Sequence, residues 1–195
     1  MKKASKVFHI FAGIVGILMI PGLIALTIAG LALILIGLLV VGVYIFAIYE
    51  HMNGIANIPI DKVEGPIEIL QRNMMIGGGI SLGGAFMFVV AGLSLIVILV
   101  GIVLAFIGVK KKGKVINILN IVFGVFGLSP FLAFGIPATA VLLLFIAGIL
   151  AVILMLWNPA IWITIFNLVA IFGSLFFFLF SVLGGIFGLV QKKEK

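Results

Sequence analysis

Apolar and charged positions in this chain separate into blocks rather than mixing. Residues 7–49, 73–109 and 115–191 contain no Asp, Glu, Lys or Arg, and every charged side chain lies between or outside these runs. A helix needs about 20 mainly apolar residues to cross a hydrocarbon core of roughly 30 Å. Each run exceeds that length, so each crosses at least once. Proline, glycine and asparagine are the punctuation inside them. Run 7–49 as one helix would be about 65 Å long, twice a bilayer core, so Pro21-Gly22 predicts a turn between helices near 3–20 and 23–49. Run 73–109 has glycines near its start, Gly77-Gly78-Gly79 and Gly83-Gly84, and reads as one long tilted helix. Residues 115–157 break at Ser129-Pro130 and at Gly135-Ile136-Pro137 into two helices, and Asn158-Pro159 opens a last one reaching Val190. The predicted fold is all-α: a polytopic integral membrane helical bundle of about six transmembrane helices, with residues 1–195 forming one membrane domain.

The stretch 50–73 is an extramembrane or interfacial loop. Gly65-Pro66 can start a short helix with proline in its first turn. Val63, Ile67 and Leu70 would share one face of it, and Glu68 with Arg72 would form an i,i+4 pair. An interfacial helix is the simpler reading and a partner-binding loop the sharper one. At the N-terminus, lysines precede an apolar stretch as in a signal peptide. That stretch runs on to Tyr49 with no small-x-small site before polar sequence, so it reads as an uncleaved first span.

Composition agrees with a membrane protein. The chain is 65% hydrophobic and 9% charged with a mean hydropathy of +1.54, too few polar groups to coat a soluble domain of 195 residues. Cysteine is absent, which excludes disulfides, thiolate nucleophiles and Cys-ligated metals. The net charge of +7 gathers at run ends, in Lys2/Lys3/Lys6, Lys110/Lys111/Lys112/Lys114 and Lys192/Lys193/Lys195. Such placement points to lipid headgroups and topology rather than to nucleic acid. The positive-inside rule would put all three clusters in the cytoplasm. Six helices split three and three instead force the middle cluster outside if both termini are inside. Six helices with cytoplasmic termini is the adopted expectation; counts of four, five or eight remain open. Lysine outnumbers arginine eleven to one, as an AT-rich genome would produce, which points to the cell membrane of a low-GC bacterium. Lys192-Lys193-Glu194-Lys195 also matches the dilysine pattern that retrieves membrane proteins to the endoplasmic reticulum, although a topology anchor explains it more simply.

An imperfect internal repeat relates halves 1–112 and 113–195. Asn117, Asn120, Gly124 and Gly127 are spaced 3, 4, 3 on one helical face, and His9, Gly13 and Gly16 match the last three at a constant offset of 111. Ile20-Pro21 precedes Ile28-Ala29-Gly30 as Ile136-Pro137 precedes Ile146-Ala147-Gly148. Duplication and chance recurrence of common apolar residues both account for this. The small-and-polar stripe suits close helix approach with interhelical hydrogen bonds; a polar pore lining is the alternative. Gly79-x-x-x-Gly83 and Gly184-x-x-x-Gly188 fit the same packing pattern. His9, about one turn inside the first helix, is the one ionisable side chain within a run and is expected to face headgroups.

No nucleotide loop, paired-carboxylate set, Ser/His/Asp set or metal cluster can be assembled, so no catalytic, cofactor or metal residue is assigned and no cofactor is expected. The expectation is a non-enzymatic integral membrane protein with a structural or accessory role through helix packing. Its partners would be the lipid bilayer and itself or other membrane proteins. A small transporter or channel using Asn117 and Asn120 is the alternative.

Residues 98–153 carry Gly108-Val109-Lys110-Lys111-Lys112-Gly113-Lys114, then Gly124-x-x-Gly127, then Ile136-Pro137 through Ile146-Ala147-Gly148-Ile149-Leu150-Ala151. This order resembles small uncharacterised membrane proteins of Gram-positive bacteria with about four helices. The resemblance implies a cytoplasmic lysine cluster and no particular activity. The extra helix after Pro159 and the length of run 7–49 depart from it.

Overall fold

The computed structural model describes residues 2–52, 64–110, 113–147 and 159–190, with side chains over 3–50, 71–110, 113–140 and 161–190. Everything described is helical except Gly113 and a turn at Gly127-Leu128. The helices are α1 (Lys2–Met52), α2 (Glu64–Lys110), α3 (Lys114–Phe126), α4 (Ser129–Ala147) and α5 (Pro159–Val190). Among the described residues four stretches are long and apolar enough to cross a membrane: Lys3–Glu50, Gln71–Lys110, Lys114–Ala140 and Ile161–Val190. The all-helical class, with helices long and apolar enough to cross a membrane, is as expected; the division into six helices is not.

Three expected breaks account for the difference. At Pro21-Gly22 the helix runs straight through. A proline removes only one N–H, and a helix in apolar surroundings has no water to take over the rest of its backbone bonds. Gly22 serves contact instead of a turn: a Cβ there would overlap the Phe166 carbonyl oxygen and lie 2.6 Å from Ala170 Cβ on α5. Pro137 likewise sits inside α4. The break at Ser129-Pro130 is present but gentle. Gly127 stays near helical values at φ −63° and ψ −12°, and Leu132 N–H donates to Leu128 O at 3.1 Å, so the chain keeps its direction from α3 into α4. At 13 residues α3 is about 20 Å long, too short to cross alone. The short helix expected at Gly65-Pro66 forms the first turns of α2. Val63 and the side chains of Ile67, Glu68 and Leu70 lie outside the described residues, as do Gly148–Asn158 of the repeat and the C-terminal lysines.

The chain packs as two compact units, one made of Met1–Leu26 with Val90–Lys195 and the other of Thr27–Val89. In the first, Ser5 Oγ near the start of α1 donates to Gly184 O near the end of α5 (3.0 Å), and Asn120 Nδ2 near the start of α3 donates to Leu104 O near the end of α2 (3.3 Å). The lysines at 3, 6, 110 and 114 are therefore exposed at one end of this unit. The middle cluster, expected opposite the N-terminal one, shares an end with it in this unit, because α1 continues through Pro21-Gly22 and two helices rather than three precede Lys110.

In the second unit α1 and α2 meet backbone to backbone. A Cβ on Gly84 would lie 2.7 Å from Gly30 O and from Ile34 N. Ser81 Oγ donates to Ile34 O (3.2 Å) and Asn73 Nδ2 to Tyr44 Oη (2.8 Å). Gly79 and Gly83, expected to pack, would meet nothing within 4 Å. They stand on a different face from Gly77 and Gly84, which take the contact.

Candidate functional site

The predicted stripe converges inside the first unit. His9, Asn117, Asn120, Gly13, Gly16 and Gly124 are all buried, and each faces another helix. A Cβ on Gly13 would press on the Phe106 ring, one on Gly16 on Ile102, one on Gly124 on Ser181, and one on Gly127 on Phe177. The stripe is filled by side chains from α2 and α5.

His9 corrects its expected position. It is 0% exposed and lies between two glycines, with its ring 3.0 Å from where a Cβ of Gly108 on α2 would be and 2.8 Å from that of Gly184 on α5. A larger residue at either place would displace the ring. Neither ring nitrogen has a hydrogen bond, although the Asn117 side chain is close enough to interact with it. Asn120 is oriented without ambiguity. Its Nδ2 donates to Leu104 O and to Ile116 O (3.0 Å), so both N–H groups are used and a flipped amide would set oxygen against oxygen. That leaves Asn120 Oδ1 buried without a donor, and Ser181 Oγ is also unpartnered. Three helices thus bring unsatisfied polar atoms to one level of the packing, at a cost for each group left without a partner.

One level deeper, Phe177 of α5 is 0% exposed and has glycines of three helices around its ring: Gly16, Gly101 and Gly127. Beyond it a serine cluster supports the α3–α4 turn. Ser174 Oγ accepts from Phe131 N–H (3.2 Å) and donates to Ile171 O (2.7 Å), satisfying one of the amides that the start of α4 leaves open. Ser94 and Ser129 hydroxyls lie 2.8 Å apart; Ser94 also donates to Val90 O on its own helix and Ser129 to Phe126 O at the end of α3, across the turn.

Sequence reasoning missed Ser5, Ser94, Ser174, Ser181 and Phe177, and a signal for them exists. On α5, Ser174, Phe177, Ser181, Gly184 and Gly188 repeat the 3, 4, 3, 4 spacing; on α2, Ser94, Ile98, Gly101, Ala105 and Gly108 follow 4, 3, 4, 3; on α1, Ser5, His9, Ala12, Gly16 and Met19 do the same. A 3–4 alternation keeps one narrow seam on a helix facing its neighbours. Of the two predicted GxxxG motifs, Gly184-x-x-x-Gly188 is in use: Cβ atoms there would meet His9 and Asn117.

The arrangement offers packing surfaces and a few uncharged hydrogen-bonding groups. Among the described residues, no three His, Asp or Glu side chains gather where they could hold a metal. Compared with protein families, curated proteins and solved structures, the chain matches none.

Proposed function

We propose that this is a non-enzymatic integral membrane protein of a bacterial cytoplasmic membrane, with a structural or accessory role in which the small-and-polar seam holds its own helices together. The observation that carries this reading is the filled stripe: Gly13, Gly16, Gly124 and Gly127 each face a side chain of another helix. A pore would leave that face open to water. The unpartnered His9, Asn120 and Ser181 atoms are what a transporter reading would build on. Facilitated solute flux in proteoliposomes, abolished by Asn120→Leu with folding retained, would establish that reading against ours.

We further propose that the lysine end faces the cytoplasm and that each continuous helix crosses once, for four crossings with α3 and the start of α4 forming the third. The six-crossing arrangement would need α1 to reverse at Pro21-Gly22, where the helix is continuous, and would put Asn57 in the cytoplasm and Gly113 outside. Four crossings place the three lysine clusters on one side, as the positive-inside rule prefers. Single cysteines at the exposed Lys3, at Gly113 and at Glu194 should label from the cytoplasm and one at Asn57 from outside, in a chain with no native cysteine to interfere. Labelling of Asn57→Cys from the cytoplasm would overturn the single crossing by α1. Labelling of Gly113→Cys from outside would overturn the shared-side arrangement. The equivalent positions of His9/Asn120, Gly13/Gly124 and Gly16/Gly127 in the first unit, with Gly16 and Gly127 both against Phe177, support an ancestral duplication relating α1 to α3.

A further inference from the structure

Three helix ends of the first unit carry exposed lysines, Lys3 and Lys6 on α1, Lys110 at the end of α2 and Lys114 at the start of α3. Residues that are neighbours in space bring these ends together: His9 lies against Gly108, and Asn120 donates to Leu104 O. The described residues of this unit include no Asp or Glu, so no described acidic side chain of the unit neutralises the four ammonium groups. Beside them α3 begins at Gly113 with no side-chain cap, and the positive end of the helix adds to that charge. Positive charge of this kind suits a phosphate group.

Directly below the lysines the surface changes character. Val7 (46% exposed), Val115 (68%) and Ile118 (49%) present apolar side chains outward within a turn or so of Lys6 and Lys114. A free phosphate ion would gain nothing from that border, whereas a molecule with an anionic head and hydrocarbon tails matches both parts. We infer that the corner formed by Lys110, Lys114 and the start of α3, with Lys3 and Lys6, binds the headgroup of an anionic glycerophospholipid, its acyl chains lying along α1 and α3. Basic clusters at helix ends attract anionic lipid headgroups through their charge. This rests on the membrane reading above but not on the number of crossings.

The test measures thermal stability of the whole protein in a nonionic detergent while adding phosphatidylglycerol, phosphatidylcholine of the same chains, or inorganic phosphate. Phosphatidylglycerol should raise the melting temperature, and the other two should leave it unchanged. In Lys110→Gln/Lys114→Gln the concentration for half the shift should rise on the order of tenfold, and in the variant with Lys3 and Lys6 also changed to Gln the shift should vanish. Arg72→Gln, an exposed charge in the second unit, should respond like the parent chain. An equal shift with phosphatidylcholine would show nonspecific lipid solvation and overturn the site. A shift with phosphate alone would make it an anion site without lipid, and equal loss in Arg72→Gln would reduce it to net charge. Cysteine labelling reports the topology separately, so failure of lipid binding and failure of the sidedness proposal are distinguishable.

Discussion

The two units use glycine for opposite purposes. In the first, glycines receive side chains: Gly108 and Gly184 hold the His9 ring, and Gly16, Gly101 and Gly127 hold Phe177. In the second, glycines receive backbone: Gly30 and Gly84 bring α1 and α2 so close that a Cβ on Gly30 would sit 2.6 Å from Phe88 N and 2.9 Å from Gly84 O. Lipid explains why either is needed. Apolar side chains gain nothing by leaving hydrocarbon for a hydrocarbon-like interior, so helices associate through dispersion contact and hydrogen bonds. Four helices can surround a large side chain and wrap it on all sides. Two helices have no such interior, and only direct approach of their backbones gives dense contact. The polar groups follow the same division: the first unit has a seam of His, Asn and Ser, and the second has Ser81 to Ile34 O and Asn73 to Tyr44 at its edges.

Removing the enclosed side chain should have the largest effect. Phe177→Ala leaves a ring-sized void bounded by backbones that cannot close in, and should cost about 3 kcal/mol in reversible denaturation from mixed micelles. A loss below about 1 kcal/mol would mean that the ring is not the knob around which the first unit packs.

A smaller effect should separate the two kinds of glycine. Gly84→Ala pushes a methyl group into backbone that has nowhere to go, for about 2 kcal/mol. Gly13→Ala meets only the rim of the Phe106 ring, 42% exposed and free to shift, and should cost about 1 kcal/mol or less. Gly42→Ala, with nothing within 4 Å, is the control and should be neutral or slightly stabilising. Equal losses for Gly84→Ala and Gly13→Ala in the same denaturation assay would break the comparison.

The smallest effects belong to single hydrogen bonds. Ser5→Ala removes the second hydrogen bond of the buried Gly184 carbonyl, whereas Tyr44→Phe removes a bond between groups nearer the surface. Interhelical bonds in membranes average about 0.6 kcal/mol. Ser5→Ala should fall above that figure and Tyr44→Phe at or below it, measured as the difference in unfolding free energy. The reverse order would show that the second unit depends on its polar contact more than on its glycines.

Much of this was written in the sequence. The charge-free runs dictate apolar helices longer than a bilayer core, because only helices and closed β-barrels satisfy their N–H and C=O groups in lipid, and barrel strands alternate apolar with polar positions as these runs do not. The 3, 4, 3 stripe of Asn117, Asn120, Gly124 and Gly127 is visible as one face in the sequence alone, since periodicity is a property of one helix and needs no neighbour. Pro21-Gly22 and Gly135-Ile136-Pro137 misled for a related reason. Proline and glycine weaken a helix locally, but whether it turns depends on what lies beside it, and Gly22 has α5 against it. Tertiary structure alone decided which glycines meet partners, Gly77 and Gly84 but not Gly79 and Gly83. It also decided that His9 faces inward and that Lys3, Lys6, Lys110 and Lys114 share one end. Each depends on how helices distant in sequence rotate and align against one another, which a pattern along one strand of chain does not encode.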